Sequence, residues 1–195
     1  MTDRETIGVY DAMAEEYDRK FERTKPDRHL RAFIDRLPAK SHVLDLGCGP
    51  GRSSAFIMEA GHTVDAVDAC ESFVAAAQER GISARKATFD DIDCQGCYDG
   101  VWANFSLLHA SKGDFFRHLS AISSALAPTG VLHLGMKEGT GESRDKLGRF
   151  YSYYAEDELR KLVEKVGLSV SRVEKGKEAG LAGNVEPWII MVAHA

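Results

Sequence analysis

The sequence contains no apolar run approaching the length of a membrane span, which excludes a helical integral membrane protein as its reading. It also lacks a basic surplus. Lys and Arg number 25 against 30 Asp and Glu, for a formal net charge of −5, whereas a nucleic-acid surface needs clustered positive charge. Cysteine is scarce, with Cys48, Cys70, Cys94 and Cys97 as the full set. That is too few for a disulfide scaffold, so free thiols are expected. Cys94-Gln95-Gly96-Cys97 has the spacing of a zinc or redox pair, but no second such pair and no paired histidines complete a ligand set, so no metal is expected. There is no internal repeat and no low-complexity stretch, and the opening MTDRETIGVYD has no signal-peptide character. These absences lead to the expectation of a cytoplasmic protein with neither nucleic acid nor membrane as partner; a monomer and a homodimer are both left open.

A length of 195 residues suits one α/β domain with a full core. Apolar residues recur at helical spacing over 4–21 (Ile7, Tyr10, Ala14, Tyr17, Phe21) and again over 27–37 (Leu30, Phe33, Ile34, Leu37), where Pro38 stops the pattern. This predicts an N-terminal helical segment, 1–40, preceding a main domain, 41–195. From His42 strands and helices alternate. Strands are predicted at 42–46, 63–67, 82–87, 98–103 and 130–135, helices at 52–60, 71–80 and 114–126. Residues 136–151 read as a Gly-rich, charged loop, 157–166 as a helix, and 168–173 with 185–193 as a closing pair of strands. Such alternation implies a mostly parallel sheet covered by helices on both faces. Ligands of such sheets bind at the carboxyl ends of the strands, where the strand order reverses.

The chemically informative residues fall at those strand ends. In Val43-Leu44-Asp45-Leu46-Gly47-Cys48-Gly49-Pro50-Gly51 a buried strand runs into glycines at alternate positions. Glycine accepts positive φ and lets a ligand approach the backbone, and the next helix offers free N–H groups. A dehydrogenase turn reads G-x-G-x-x-G and seats a pyrophosphate, but here Arg52 occupies the third glycine position. Asp68, at the end of the second strand, follows Gly47 by about 20 residues, the spacing at which a carboxylate meets a ribose. Phe89-Asp90-Asp91-Ile92 offers carboxylates and an apolar neighbour for an adenine. Asn104-Phe105-Ser106-Leu107-Leu108-His109 follows the fourth strand, with His109 a candidate general base.

Taken in order, these segments resemble the class I S-adenosylmethionine-dependent methyltransferases. VLDLGCGPG is similar to their first motif, Asp68 to the acid after their second strand, and Asp90-Asp91-Ile92 to their adenine-contacting segment. Leu126-Ala127-Pro128-Thr129-Gly130 is similar to their L-x-P-G-G turn, with Thr129 in place of a glycine. Tyr10-Asp11-x-x-Ala14-x-x-Tyr17-Asp18 is similar to the lid helix of small-molecule members. The resemblance implies a Rossmann-like three-layer α/β sandwich, with a seven-stranded, mostly parallel sheet, an antiparallel last strand and added N-terminal helices. It implies S-adenosylmethionine as cofactor and S-adenosylhomocysteine as product, held by Tyr17, Asp45, Gly47, Cys48, Gly49, Gly51, Asp68, Ala69, Asp90, Asp91, Ile92 and Asn104. The acceptor pocket is expected between the N-terminal helix and the 136–151 loop, walled by Tyr10, Met136, Lys137, Arg144, Arg149, Tyr151 and Tyr153. Lys137 and Arg149 are candidates to attract an anionic substrate, against the plainer reading of solvated loop charges. Asn104 is not followed by Pro-Pro and an aromatic residue, so the pattern of base or glutamine N-methylation is absent. An NAD-type oxidoreductase and a non-catalytic cofactor-binding module are the competing readings. Trp188 reads as core.

Overall fold

The structure, a computed structural model, describes residues 3–195; the first two positions of the expected 1–40 segment lie outside it. The chain opens with α1 (Arg4–Ala12), capped by Asp3, whose side chain accepts the Thr6 N–H at 2.8 Å. The single helix predicted over 4–21 is in fact two. The backbone leaves helical geometry at Met13 (φ −115°, ψ 15°) and resumes as α2 (Ala14–Lys20). Tertiary contacts override the periodicity here: Asp11 is drawn to Cys70 and Ser72, while Asp18 is drawn to Arg52 and Arg80. α3 (Arg28–Ile34) starts at Asp27, whose carboxylate accepts the N–H groups of His29 and Leu30.

The alternating region follows as β1 (His42–Leu46), α4 (Arg52–Glu59), β2 (Thr63–Asp68), α5 (Glu71–Glu79), β3 (Ala84–Lys86), β4 (Tyr98–Asn104), α6 (Lys112–Ala125) and β5 (Leu126–Lys137). β6 (Glu142–Arg144) and β7 (Phe150–Ser152) come next, then α7 (Glu156–Lys165), β8 (Ser169–Ala179) and β9 (Val185–His194). The main sheet has seven strands in the order β3-β2-β1-β4-β5-β9-β8. β1 pairs in parallel with β2 and β4, whereas β9 is antiparallel to both of its neighbours. The order reverses between β1 and β4, and the site lies at the carboxyl ends of those strands.

Alternation along the strands divides the core. Leu44 and Leu46 of β1 pack with Val101 of β4 and with Phe115, Leu119, Ile122, Leu159 and Val163 of α6 and α7. Val43 and Trp102 face the other way, onto Leu30, Phe33 and Ile57 of α3 and α4. Ala66 packs with Val74 and Ala77 of α5. Successive strand residues point to opposite faces, so this is the expected three-layer sandwich.

Two local expectations are corrected. The fifth strand begins at Leu126, not Gly130. Its pairing jumps from Tyr98↔Leu126 to Gly100↔Val131, and Thr129 sits in the bulge with φ +67°. The segment 136–151 is not a loop throughout. β6 and β7 form an antiparallel hairpin, closed where Asp145 Oδ1 accepts the N–H groups of Leu147 and Arg149 at 3.0 Å each. Among the described residues no helix is long and apolar enough to cross a membrane.

Candidate functional site

The glycine turn after β1 is built on backbone strain that only glycine avoids. Gly47 has φ +77° and Gly49 φ +53°. A Cβ on Gly47 would stand 2.3 Å from Ser106 Cβ, so the turn can pass beside the chain leaving β4 only without one. Gly51 serves packing instead. A Cβ on it would stand 2.9 Å from Ala77 Cβ of α5, and it lines neither cavity described below. The turn is fastened to β2 by Asp68. One carboxylate oxygen accepts the Gly49 N–H at 2.8 Å and the other accepts the Cys70 N–H at 2.8 Å. Desolvation pushes the Asp68 pKa upward, against those N–H donors. Asp45, also buried, accepts from Ser54 Oγ at 2.6 Å, and burial pushes its pKa up to about 7.

Two cavities flank this turn. The smaller, of about 100 Å³, is lined by Gly47, Gly49, Asp68, Ala69, Phe73 and Phe89, among others. Of the adenine segment, Ala87, Thr88 and Phe89 face it; Asp90, Asp91 and Ile92 do not. The reason is a tight turn over Phe89–Asp91, in which Asp91 folds back to accept the Thr88 N–H at 2.7 Å while Asp90 pairs with Arg117. Ser106 Oγ, in the same wall, is buried without a hydrogen-bond partner among the described residues. The larger cavity, of about 260 Å³, lies between the α2–α3 connection, the glycine turn with Asp45 and Cys48, and the β8–β9 hairpin. Both are lined by Tyr10, Tyr17, Gly47, Gly49, Asn104 and Phe105. Phe105 holds φ +57°, a conformation rare for a bulky residue, and strain of this kind concentrates at ligand sites.

The N-terminal helices cover both cavities. Arg52 donates to the Asp18 side chain at 2.8 Å and Arg80 pairs with the same carboxylate. Lys20 donates to the carbonyls of Gly180 and Leu181. Asp11 caps α5 by accepting the Ser72 N–H at 3.0 Å. The Arg52 side chain, standing where a dehydrogenase has its third glycine, is thereby committed to the helix pair above the turn.

Of the expected acceptor-pocket walls, Tyr10, Lys137, Arg149 and Tyr151 line the larger cavity. Three do not. Met136 is fully buried in the core, Arg144 pairs with Asp3 and Glu5, and Tyr153 packs over Gly139. Lys137 and Arg149 are not free charges, because Lys137 pairs with Glu186 and Arg149 pairs with Asp145 at 2.6 Å. Trp188 lines the cavity instead of joining the core, as do residues 178–181. Their distance in sequence from the other site segments hid them, and only the antiparallel return of β9 beside β5 brings them near.

His109 lines the smaller cavity, not the larger. Its Nδ1 lies 2.6 Å from the Phe150 carbonyl, which can only accept, so Nδ1 carries the proton. Nε2 then accepts from Tyr10 O–H at 2.9 Å, and Tyr10 in turn accepts from Arg149 at 2.9 Å. Desolvation brings the His109 pKa down to about 4. Neutral and with both nitrogens engaged, it has no lone pair for a substrate proton in this arrangement. All four cysteines are free thiols, and no group of three or more metal-ligating side chains forms among the described residues.

Comparison with known proteins agrees with this geometry. Residues 43–130 match a family described as "Methyltransferase domain". Trans-aconitate 2-methyltransferase of Delftia acidovorans is 30% identical over 135 residues, which cover 66% of this chain and 49% of the relative. The enzyme of the same name from Variovorax paradoxus is 34% identical over 134 residues, covering 66% and 50%. The chain thus spans about half the length of the curated relatives it matches. Among solved structures, Burkholderia thailandensis 1,6-didemethyltoxoflavin-N1-methyltransferase, determined with its substrate and S-adenosylhomocysteine, superposes with a TM-score of 0.71 at 23% identity, covering 96% of this chain and 87% of that one. A [4+2]-cyclase superposes at 0.72 with 16% identity, covering 96% and 94%. At such identities the likeness is one of fold.

Proposed function

We propose that this chain, whose residues 43–130 match a methyltransferase-domain family and whose sheet has the Rossmann-like strand order, transfers a methyl group from S-adenosylmethionine to a small-molecule acceptor. The observation that carries the reading is the meeting of two cavities at one glycine turn, with six residues common to both walls: the smaller presents the bare glycine backbone and the Asp68 carboxylate, and the larger opens beside it. The residues of the smaller cavity fit the cofactor. Gly47 and Gly49 leave bare backbone, and each Asp68 oxygen, with one backbone N–H bound, retains a lone pair for a ribose hydroxyl. Ser106 Oγ is a buried polar atom in want of a partner. Thr88 and Phe89 replace the expected acidic pair beside the adenine.

When bound, S-adenosylmethionine supplies an electrophilic methyl group on a sulfonium. The chain itself binds, orients and excludes water. Tyr10 and Tyr17 close the junction from above, Asn104 and Phe105 from β4, and we read α1 and α2 as the lid. His109 serves to orient Tyr10, aided by Arg149, and any base needed for a protonated acceptor comes from the acceptor's surroundings or from solvent. The net charge of −5 favours a metabolite over a nucleic acid as partner.

The test is incubation of the purified chain with S-adenosylmethionine and a panel of small metabolites, following S-adenosylhomocysteine. Product formation that depends on one acceptor class supports the reading. Reduction of NAD by any panel member, with no affinity for either adenosyl compound, refutes it.

A further inference from the structure

We propose that the larger cavity accepts an uncharged, planar aromatic or heteroaromatic molecule that presents a hydrogen-bond acceptor atom, and that it does not accept a polycarboxylate. Its use as a methyl acceptor rests on the reading above; the selectivity of the cavity stands on its own walls.

The first observation is charge. Four basic side chains reach the cavity wall, Arg23, Arg52, Lys137 and Arg149. Each is paired with an acid of this same chain, Asp27, Asp18, Glu186 and Asp145 respectively, Asp18 being shared with Arg80. The Arg149–Asp145 pair is desolvated, at 3% and 6% side-chain exposure, so withdrawing the arginine would strand a buried carboxylate. Asp45 and Glu178 add acidic groups to the wall without adding a cation. A polyanion entering here finds each of these cations already paired, and an unpaired buried charge is costly. The trans-aconitate of the sequence relatives is a tricarboxylate, and these walls do not answer it.

The second observation is shape. Tyr17, Phe21, Phe56, Phe105, Tyr151 and Trp188 give the cavity ring surfaces on several sides, and flat rings pack well against such surfaces by offset or edge contact. Trp188 is held in place by its neighbour strand. Gly176 is its register partner, and a Cβ there would stand 2.2 Å from the indole, so β8 is cleared for that ring to lie across it.

The third observation is a fixed donor. His133 Nε2 lies 3.0 Å from Asn104 Oδ1, and the ring is stacked on Trp102 with centroids 3.8 Å apart. An amide oxygen only accepts, so Nε2 carries the proton and the Asn104 amide nitrogen is left to donate. Gly135, the register partner of Asn104, keeps this arrangement possible, since a Cβ there would stand 2.7 Å from Asn104 Oδ1. Asn104 lines both cavities, so its N–H groups suit a carbonyl, a ring nitrogen or a phenolic oxygen at the junction.

The test is calorimetry on the full chain at pH 7.5, with and without saturating S-adenosylhomocysteine, using 4-quinolone and 2-naphthol as planar neutral probes and trans-aconitate as the polyanion. At least one planar probe is expected to bind at least tenfold more tightly than trans-aconitate. Trp188→Ala is expected to weaken that probe by about tenfold. Glu186→Gln, which leaves Lys137 without its acid, is expected to strengthen trans-aconitate binding several-fold. Tighter binding of trans-aconitate than of both planar probes by the wild type, or no saturable planar binding, overturns the inference. So does planar binding that Trp188→Ala leaves unchanged in a protein whose circular dichroism is native. The heat of S-adenosylhomocysteine itself is read separately, and its absence would undo the methyl-transfer reading while leaving the probe ranking to judge the cavity.

Discussion

The Gly49 N–H and Asp68 Oδ2 are 2.8 Å apart, and this hydrogen bond ties the turn after β1 to the acid that ends β2. The second oxygen of Asp68 takes the Cys70 N–H at the start of α5. One carboxylate therefore sets the position of two backbone segments and still offers lone pairs to the cavity. The structural role and the proposed binding role fall on the same atoms.

Replacing Asp68 should accordingly harm both. Asp68→Ala removes the acceptor for two N–H groups and for the proposed ribose hydroxyls. Charge-assisted bonds of this kind are worth about 1.5–3 kcal/mol each, so the dissociation constant for S-adenosylhomocysteine should rise at least thirtyfold, on the order of 2 kcal/mol. Titration calorimetry on a variant with a native circular dichroism spectrum is the check. Unchanged affinity would remove Asp68 from the site.

Two substitutions at left-handed positions should act in opposite directions. Gly47→Ala places a Cβ 2.3 Å from Ser106 Cβ at φ +77°, and a loss of about 3 kcal/mol or more is expected from strain and displacement. Thr129→Gly relieves a β-branched residue held at φ +67°. Left-handed geometry costs such a residue roughly 1–2 kcal/mol, part of which is offset by the freer unfolded chain of glycine, so a net gain of about 0.5–1 kcal/mol is expected. Urea unfolding of both variants measures the contrast.

The N-terminal helices should be releasable without unfolding the sheet. Asp18 receives Arg52 and Arg80 together, and neighbouring Tyr17 lines both cavities. Asp18→Asn should weaken S-adenosylhomocysteine about tenfold, mainly through faster dissociation, and should speed proteolysis within residues 13–27. The melting temperature should fall only slightly. Stopped-flow dissociation and limited proteolysis read the two effects.

Acid should destabilise the protein through two neutral histidines. His133 is buried and its pKa is pushed down to about 3 by burial; that of His109 is brought to about 4. Above about pH 6.5, the ordinary histidine value, folded and unfolded states are both neutral and this contribution is fully present. As the pH falls toward 4 the unfolded chain takes up protons that the folded one refuses, so stability is lost across that window. At pH 5 the loss is about 2 kcal/mol for each histidine. His133→Gln keeps a donor near Asn104 and should remove this histidine's share, making the stability lost between pH 7 and pH 5 about 2 kcal/mol smaller than in the wild type, while the raised carboxyl of Asp45, which acts in the opposite direction, is common to both proteins. A loss unaltered by the substitution would show that His133 is not held neutral.

Much of this is legible in the sequence because it is local. Val43 to Gly51 encodes a buried strand and a positive-φ turn in consecutive residues, and Asp68 stands at a fixed distance beyond it. What is hidden depends on distant segments. Gly51 looks like its two neighbours in the motif, yet its Cβ space belongs to Ala77 of α5. Asp90 and Asp91 carry the expected charge, but a tight turn directs Phe89 to the cavity and Asp91 back to Thr88. Lys137 and Arg149 read as free cations because Glu186 lies far along the chain and because the glycine-rich sequence around Asp145 conceals the hairpin that brings it onto Arg149. Periodicity over 4–21 reports an apolar face, and it has no way to report the break at Met13 that lets Asp11 and Asp18 reach different partners.

The most direct measurement is isothermal titration of the purified full chain with S-adenosylmethionine and S-adenosylhomocysteine, with NAD as control. Saturable heat with a stoichiometry near one and a micromolar dissociation constant is expected for both adenosyl compounds, with none for NAD. Absence of heat and of any melting shift with either adenosyl compound would contradict the claim that the turn at Gly47–Gly49 and the acid at Asp68 form a cofactor site.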